Sequence, residues 1–153
     1  MALRQVLYGS SAVRPMTQAE IDVILEQARR RNIETGITGI LFYLDGNFLQ
    51  LLEGEEPALS ETFDRIRLDT RHRNLIKMLD GPIDQRSFAA SPMAFRSIYG
   101  NELEENPDLF VQSNGRWSLS EGAGVDEQLK ILIETFLMVN YTRSHDRLEG
   151  RNS

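Results

Sequence analysis

Gln50 stands in the middle of Phe48-Leu49-Gln50-Leu51-Leu52, a run with no other polar side chain. A buried amide without partners costs roughly 1–3 kcal/mol, so both its oxygen and its nitrogen need one. Tyr8 closes an apolar segment, and Asn32 follows a run with helical periodicity. A phenol can give up an electron and a proton together. An amide can exchange its donor and acceptor ends without a change of net charge. Taken singly, each residue fits an ordinary structural role. Gln50 would be a bonded core amide, Tyr8 a core phenol whose hydroxyl meets that amide, Asn32 a helix C-cap, Met93 core filler and Arg65 a solvated helical cation. Their convergence is less easily ascribed to packing. A Tyr, a Gln and an Asn inside an apolar slot make a lining suited to a flat heterocycle with polar edges.

The elements that must position these residues follow from periodicity. Arg4 to Tyr8 reads as a short strand ending at Gly9-Ser10. Thr17-Gln18-Ala19-Glu20 is a capping box. Ile21, Ile24, Leu25 and Ala28 then recur on one helical face, with an end expected near Arg31-Asn32. Ile37 to Tyr43 and Asn47 to Glu53 are strand-like runs joined through Asp45-Gly46, a hairpin signal in which both central residues take positive φ. Pro57 suits the first turn of a second helix, striped by Leu59, Phe63 and Ile66 to about Leu68. Leu75 to Leu79 and Met93 to Tyr99 read as two further strands, with Gly81-Pro82 near the start of their connection. The fold class is α+β: a ferredoxin-like βαββαββ sheet with two helices on one face. Its first and third strands are central neighbours, so Tyr8 and Gln50 share the face under the helices.

The third strand is apolar on both faces. Phe48, Gln50 and Leu52 point one way and Leu49 and Leu51 the other, so both faces need cover. Val125, Leu129, Leu132, Ile133, Phe136 and Leu137 mark a C-terminal helical cover for the second face. Between lies a polar connector, Gly100 to Gly124, with a short helix expected near Leu109-Phe110-Val111. The expected organisation is a pocket-bearing domain over residues 1–100 and a helical extension over 101–153 that packs on the sheet.

Composition narrows the function. A net charge of −6 disfavours a nucleic-acid partner. The basic knots Arg29-Arg30-Arg31 and Arg71-His72-Arg73 fit helix C-termini, where cations complement the dipole. The absence of cysteine excludes disulfides, thiolate metal sites and thiol nucleophiles. His72 and His145 are not spaced as zinc ligands. No run approaches the ~18 apolar residues of a membrane span, so the chain reads as soluble and cytoplasmic, with no membrane partner.

Asn32, then Gly36-Ile37-Thr38-Gly39-Ile40-Leu41-Phe42-Tyr43, then Gly46-Asn47-Phe48-Leu49-Gln50-Leu51-Leu52-Glu53-Gly54 resembles the core signature of BLUF domains. Tyr8 before Ser10, the segment Asp69-Thr70-Arg71-His72, and Phe88 with Met93 extend the likeness, which covers residues 1 to about 100. The resemblance implies non-covalent FAD, with FMN or riboflavin as alternatives, its ring between the two helices. It implies that Tyr8 is the photo-redox partner, that Gln50 bridges Tyr8 and the flavin, and that Met93 stands beside Gln50. By the same likeness Asn32 bonds the ring's polar edge, Ile24 and Ile66 pack on its faces, and Phe48 lies nearby. Arg65, Arg71 and His72 would face the ribityl-phosphate end, and Arg31 occupies a variable position. Many relatives carry Trp where this chain has Ser91; its only tryptophan is Trp117. A tryptophan switch at that position is therefore excluded.

The implied cycle starts with blue light. The excited flavin takes an electron and then a proton from Tyr8, Gln50 is left rotated or tautomerised, and the absorption shifts to the red until the dark state returns. No substrate turnover is expected. Output would pass through the last strand and the C-terminal helices to a separate protein, or through self-association as a dimer or larger homo-oligomer. Three other readings compete. A small flavin-dependent oxidoreductase would need a nicotinamide site, and no Gly-rich dinucleotide fingerprint is present. A flavin-free ferredoxin-like interaction module would leave Tyr8 and Gln50 as core groups. An acylphosphatase-like hydrolase would need a phosphate loop before the first helix, and there is none.

Overall fold

The computed structural model describes residues 2–97, 110–113, 116–119 and 126–150. Strand β1 (Leu3–Ala12) leads to helix α1 (Gln18–Thr35), then β2 (Thr38–Leu44), β3 (Asn47–Glu55), helix α2 (Ala58–Arg67), β4 (His72–Ile83) and β5 (Ala94–Ser97). A hairpin, β6 (Phe110–Ser113) and β7 (Arg116–Leu119), precedes helix α3 (Glu127–Gly150). The main sheet has the order β4-β1-β3-β2-β5. Its first four strands run antiparallel to their neighbours, and β5 joins the edge parallel to β2. This is the expected α+β ferredoxin-like βαββαββ sheet, with its fifth strand at the β2 edge.

Local chemistry sets the boundaries. The Thr17 hydroxyl accepts from the Glu20 amide at 3.2 Å and starts α1. Gly36 ends it in the left-handed region at φ 74°, where a side chain would be strained. The helix thus runs one turn past its expected end, so Asn32 lies inside it and is not its C-cap. Asp45 and Gly46 take φ of 52° and 79°, as a two-residue hairpin turn requires. Gly39 lets β2 pass close to β3: a Cβ there would stand 1.9 Å from the Leu51 carbonyl oxygen.

Other departures share one cause. β1 continues to Ala12 and β4 extends to both sides of Leu75–Leu79, because each pairs along nearly its full length with the other. Gly81-Pro82 therefore lies within β4, and an edge strand tolerates the missing donor of Pro82. His72-Arg73 opens β4 with Arg71 just ahead of it, and Arg29-Arg30-Arg31 lies within α1 ahead of a last turn that holds no basic residue, so neither basic knot sits at a helix C-terminus as expected. Phe110 and Val111 lie in a strand, not the expected short helix, because they pair with Leu119 and Ser118; Leu109, like Val125, lies outside the described residues. The extension is consequently not all helical.

Two apolar layers flank the sheet. Ile21 and Leu25 of α1 and Leu59 and Phe63 of α2 pack with Val6, Tyr8, Leu41, Phe48 and Leu52 on one face. On the other, Leu129, Ile133 and Leu137 of α3 pack with Leu7, Ile40, Phe42, Leu44, Leu49 and Leu51. Asn47 ties the layers at one end: it accepts from the Ser11 hydroxyl at 3.1 Å and donates to Asn140 of α3 at 2.8 Å.

Candidate functional site

A cleft opens between α1 and α2 over the centre of the sheet. Its floor is Tyr8 of β1, Leu41 of β2, and Phe48, Gln50 and Leu52 of β3. One wall is Ile24, Gln27, Ala28, Arg31 and Asn32 of α1; the other is Thr62, Arg65 and Ile66 of α2, continued by Asp69, Arg71 and His72. Polarity is graded with depth. Tyr8, Asn32, Phe48 and Gln50 are buried, whereas Arg31, Arg65 and Arg71 are exposed.

Register brings the two central residues together. Tyr8 and Gln50 are direct cross-strand partners on β1 and β3. The Tyr8 hydroxyl donates to Gln50 Oε1, and Gln50 Nε2 donates to Met93 Sδ at 3.5 Å. The amide is held at both ends, which answers the cost of placing it inside an apolar strand. Met93 is itself buried, one residue ahead of β5. Phe63 meets the Tyr8 ring edge-on, with centroids 5.9 Å apart. Asn32 Nδ2 donates to the Pro92 carbonyl at 2.6 Å, so this amide is anchored to the segment carrying Met93.

Every residue expected to hold a cofactor lines this cleft; Met93 reaches it through Gln50. Two of the expected phosphate-end contacts are already engaged. His72 Nε2 donates to the Ile66 carbonyl at 2.6 Å, and Nδ1 meets the Ser10 hydroxyl at 2.7 Å. A carbonyl only accepts, so Nε2 carries the proton and the hydroxyl can donate to Nδ1. The Arg71 guanidinium is paired with Asp69, with Nε 2.9 and 3.0 Å from the two carboxylate oxygens. Sequence reasoning missed Gln27, Ala28, Thr62 and Asp69 as wall residues. Helical spacing could have found three of them: Gln27 and Ala28 lie three and four residues from Ile24, and Thr62 lies four before Ile66, whereas Asp69 lies past the end of α2.

Electrostatics keep the phenol protonated. Burial first, and the nearby Asp69 carboxylate second, push the Tyr8 pKa well above the ordinary tyrosine value. Asp69 is held below the usual carboxylate range, chiefly by its hydrogen bonds from the Arg71 side chain. The raised Tyr8 pKa has a stability consequence. Below pH 10 the folded and unfolded chains both hold the phenol proton. Above it only the folded chain does, so stability falls as pH rises. Between pH 9 and pH 11 this group should cost about 1.4 kcal/mol. Urea unfolding at both pH values should show that loss in the wild type, and Tyr8→Phe should lack it.

The residues fit a flavin. Apolar side chains from both helices face each other across the cleft, amides lie at its depth, and cations lie toward solvent. Fold and site thus define a ferredoxin-like domain built to hold a planar cofactor beside a tyrosine–glutamine pair. The chain belongs to the BLUF family, the sensors of blue light using FAD, whose profile matches residues 3–94. It is 38% identical over 88 residues to a photoactivated adenylate cyclase subunit beta of Euglena longa, covering 58% of this chain and 10% of that protein. It is 31% identical over 138 residues to the blue light- and temperature-regulated antirepressor BluF of Escherichia coli K12, covering 88% of this chain and 32% of that one. The dark-state structure of the BLUF protein BlrB superposes with a TM-score of 0.62 at 35% identity, covering 71% of this chain and 81% of the other. The chain spans about a tenth of the length of the cyclase subunits it matches. Among the described residues no helix is long and apolar enough to cross a membrane.

Proposed function

We propose that Tyr8, Gln50 and Met93 form the photoactive unit of this blue-light sensor, and that the chain signals by rearranging hydrogen bonds with no turnover of a substrate. The observation that carries this reading is the buried Tyr8–Gln50–Met93 series, in which one amide is held by a phenol at its oxygen and by a thioether at its nitrogen.

Bound FAD supplies absorption of blue light and an acceptor for one electron and one proton. The chain's residues do the rest. Ile24 and Ile66 would hold the ring from opposite walls, Asn32 would offer its amide to the polar edge, and Arg31, Arg65, Arg71 and His72 would lie toward the phosphate end. Burial excludes water from Tyr8. The Asp69 charge, which adds to burial in keeping the phenol protonated, also favours loss of an electron from it, since a neighbouring negative charge stabilises a less negative ring. A phenol that gives up an electron is a strong acid and would pass its proton along the existing bond to Gln50 Oε1; return of the electron and a proton to Tyr8 would leave no net oxidation of the chain. When the amide re-forms, its donor and acceptor ends can be exchanged, at no cost in net charge.

Output passes through β5 and α3 to a separate protein in the cytoplasm or to a second copy of the chain. The antirepressor BluF, a relative by name a regulator and not a cyclase, supports a non-enzymatic output. The test is the purified holoprotein under a blue flash. A small red shift that decays in the dark is the expected result. Steady oxidation of a nicotinamide in darkness would replace this reading with a flavin-dependent oxidoreductase.

A further inference from the structure

Three successive carbonyls ahead of β5 are each taken by a different donor. The Ser91 oxygen accepts from the Gly39 amide at 3.1 Å. The Pro92 oxygen accepts from Asn32 Nδ2 at 2.6 Å, and the Met93 oxygen accepts from Arg29 Nε at 2.8 Å. Arg29 and Asn32 are three residues apart on α1 and therefore neighbours on its surface. Around them the 84–93 segment has no regular strand or helix, and its far end is held separately. There the buried Glu53 carboxylate accepts from the Ser87 and Phe88 amides at 2.6 and 3.0 Å. Without a ladder of its own, the backbone of Met93 depends on these side-chain donors for its place.

We infer that Arg29 is a positioning residue for the photoactive unit: together with Asn32 it clamps the Pro92–Met93 backbone to α1 and so holds the Met93 thioether against the Gln50 amide. This rests on the photoactive reading of Tyr8, Gln50 and Met93. Arg29 does not line the cleft; it acts through Met93. A guanidinium-to-carbonyl bond is charge-assisted and stronger than a neutral one, whereas a thioether is a weak acceptor. Core packing buries Met93, but a weak acceptor does not by itself fix its sulfur at Gln50, and the clamp supplies that restraint. Its effect is to keep Gln50 in one orientation in the dark, oxygen to Tyr8 and nitrogen to Met93. Ser91 sharpens the requirement, since no bulky side chain wedges the segment from that position.

The test uses the FAD-loaded protein with ¹³C-methyl methionine, comparing wild type, Arg29→Met and Arg29→Lys. Met is chosen because it keeps an unbranched stem and removes the donors; Lys can still donate to the Met93 carbonyl. The chain has five methionines and the Arg29→Met variant one more, so the Met93 methyl signal is identified by its loss in Met93→Leu made in both backgrounds, which sets it apart from the added methyl. Arg29→Met should shift or broaden that signal. It should also cut the light-minus-dark amplitude per bound flavin at least twofold, because the dark state now holds Gln50 in both orientations. Arg29→Lys should restore both. An unchanged Met93 signal and amplitude in Arg29→Met would overturn the clamp, whatever its effect on melting temperature. The methyl signal needs no photochemistry. A wild type without any light response would therefore sink the photoactive reading, while the Met93 signal still decides the clamp.

Discussion

Gln50→Leu is expected to leave FAD bound and abolish the reversible red shift. The walls proposed to hold the ring, Ile24 and Ile66, do not depend on a polar bond to residue 50, and leucine keeps an apolar floor continuous with Phe48 and Leu52. Binding should survive on these grounds. The photochemistry should not, since leucine has no donor and acceptor ends to exchange and offers Tyr8 no route for its proton. The fold pays little. The Tyr8 hydroxyl loses its acceptor, which costs about 1–3 kcal/mol, but no buried amide then needs partners. The comparison to make is flavin content and the light-minus-dark spectrum of the two purified proteins. Persistence of the shift in Gln50→Leu would remove the amide from the mechanism.

The second large effect concerns α3. Truncation before Asp126 should yield aggregated protein, not a soluble receptor that has merely lost its output. Leu129, Ile133 and Leu137 are buried against the sheet, and burial of such side chains contributes roughly 1.5–3 kcal/mol each. Together they approach the whole stability of a typical domain, about 5–15 kcal/mol. The sheet face they leave, with Leu7, Ile40, Phe42, Leu44, Leu49 and Leu51, would be an exposed apolar surface of the kind that associates. Size-exclusion chromatography of the truncated protein decides the matter. A monodisperse, photoactive fragment would show that the second face needs no cover.

The core of the site was legible because its signals are local. A glutamine in an apolar run, a two-residue turn at Asp45-Gly46 and helical spacing from Ile24 each declare themselves within a few residues. Their combination with a split βαβ order was enough to place Tyr8 opposite Gln50, as the β1–β3 register has it. What could not be read depends on partners far along the chain. β4 is long because β1 pairs with it, and Pro82 is acceptable there because that strand is an edge. His72 and Arg71 line the cleft as expected, yet Ser10, the Ile66 carbonyl and Asp69 already occupy their polar atoms. Arg29 left no signal at all, since its partner is a backbone carbonyl 64 residues away. Glu53 is similar: it looks like an ordinary strand carboxylate until the amides of Ser87 and Phe88 come to meet it.

The most direct measurement is the light-minus-dark absorption spectrum of the wild type and Gln50→Leu, recorded side by side at equal flavin content. A small red shift that decays in darkness in the wild type, and a flat difference spectrum in Gln50→Leu, would establish the Gln50 amide as the switch. The same shift in both proteins, or bleaching without a shift in the wild type, would contradict it.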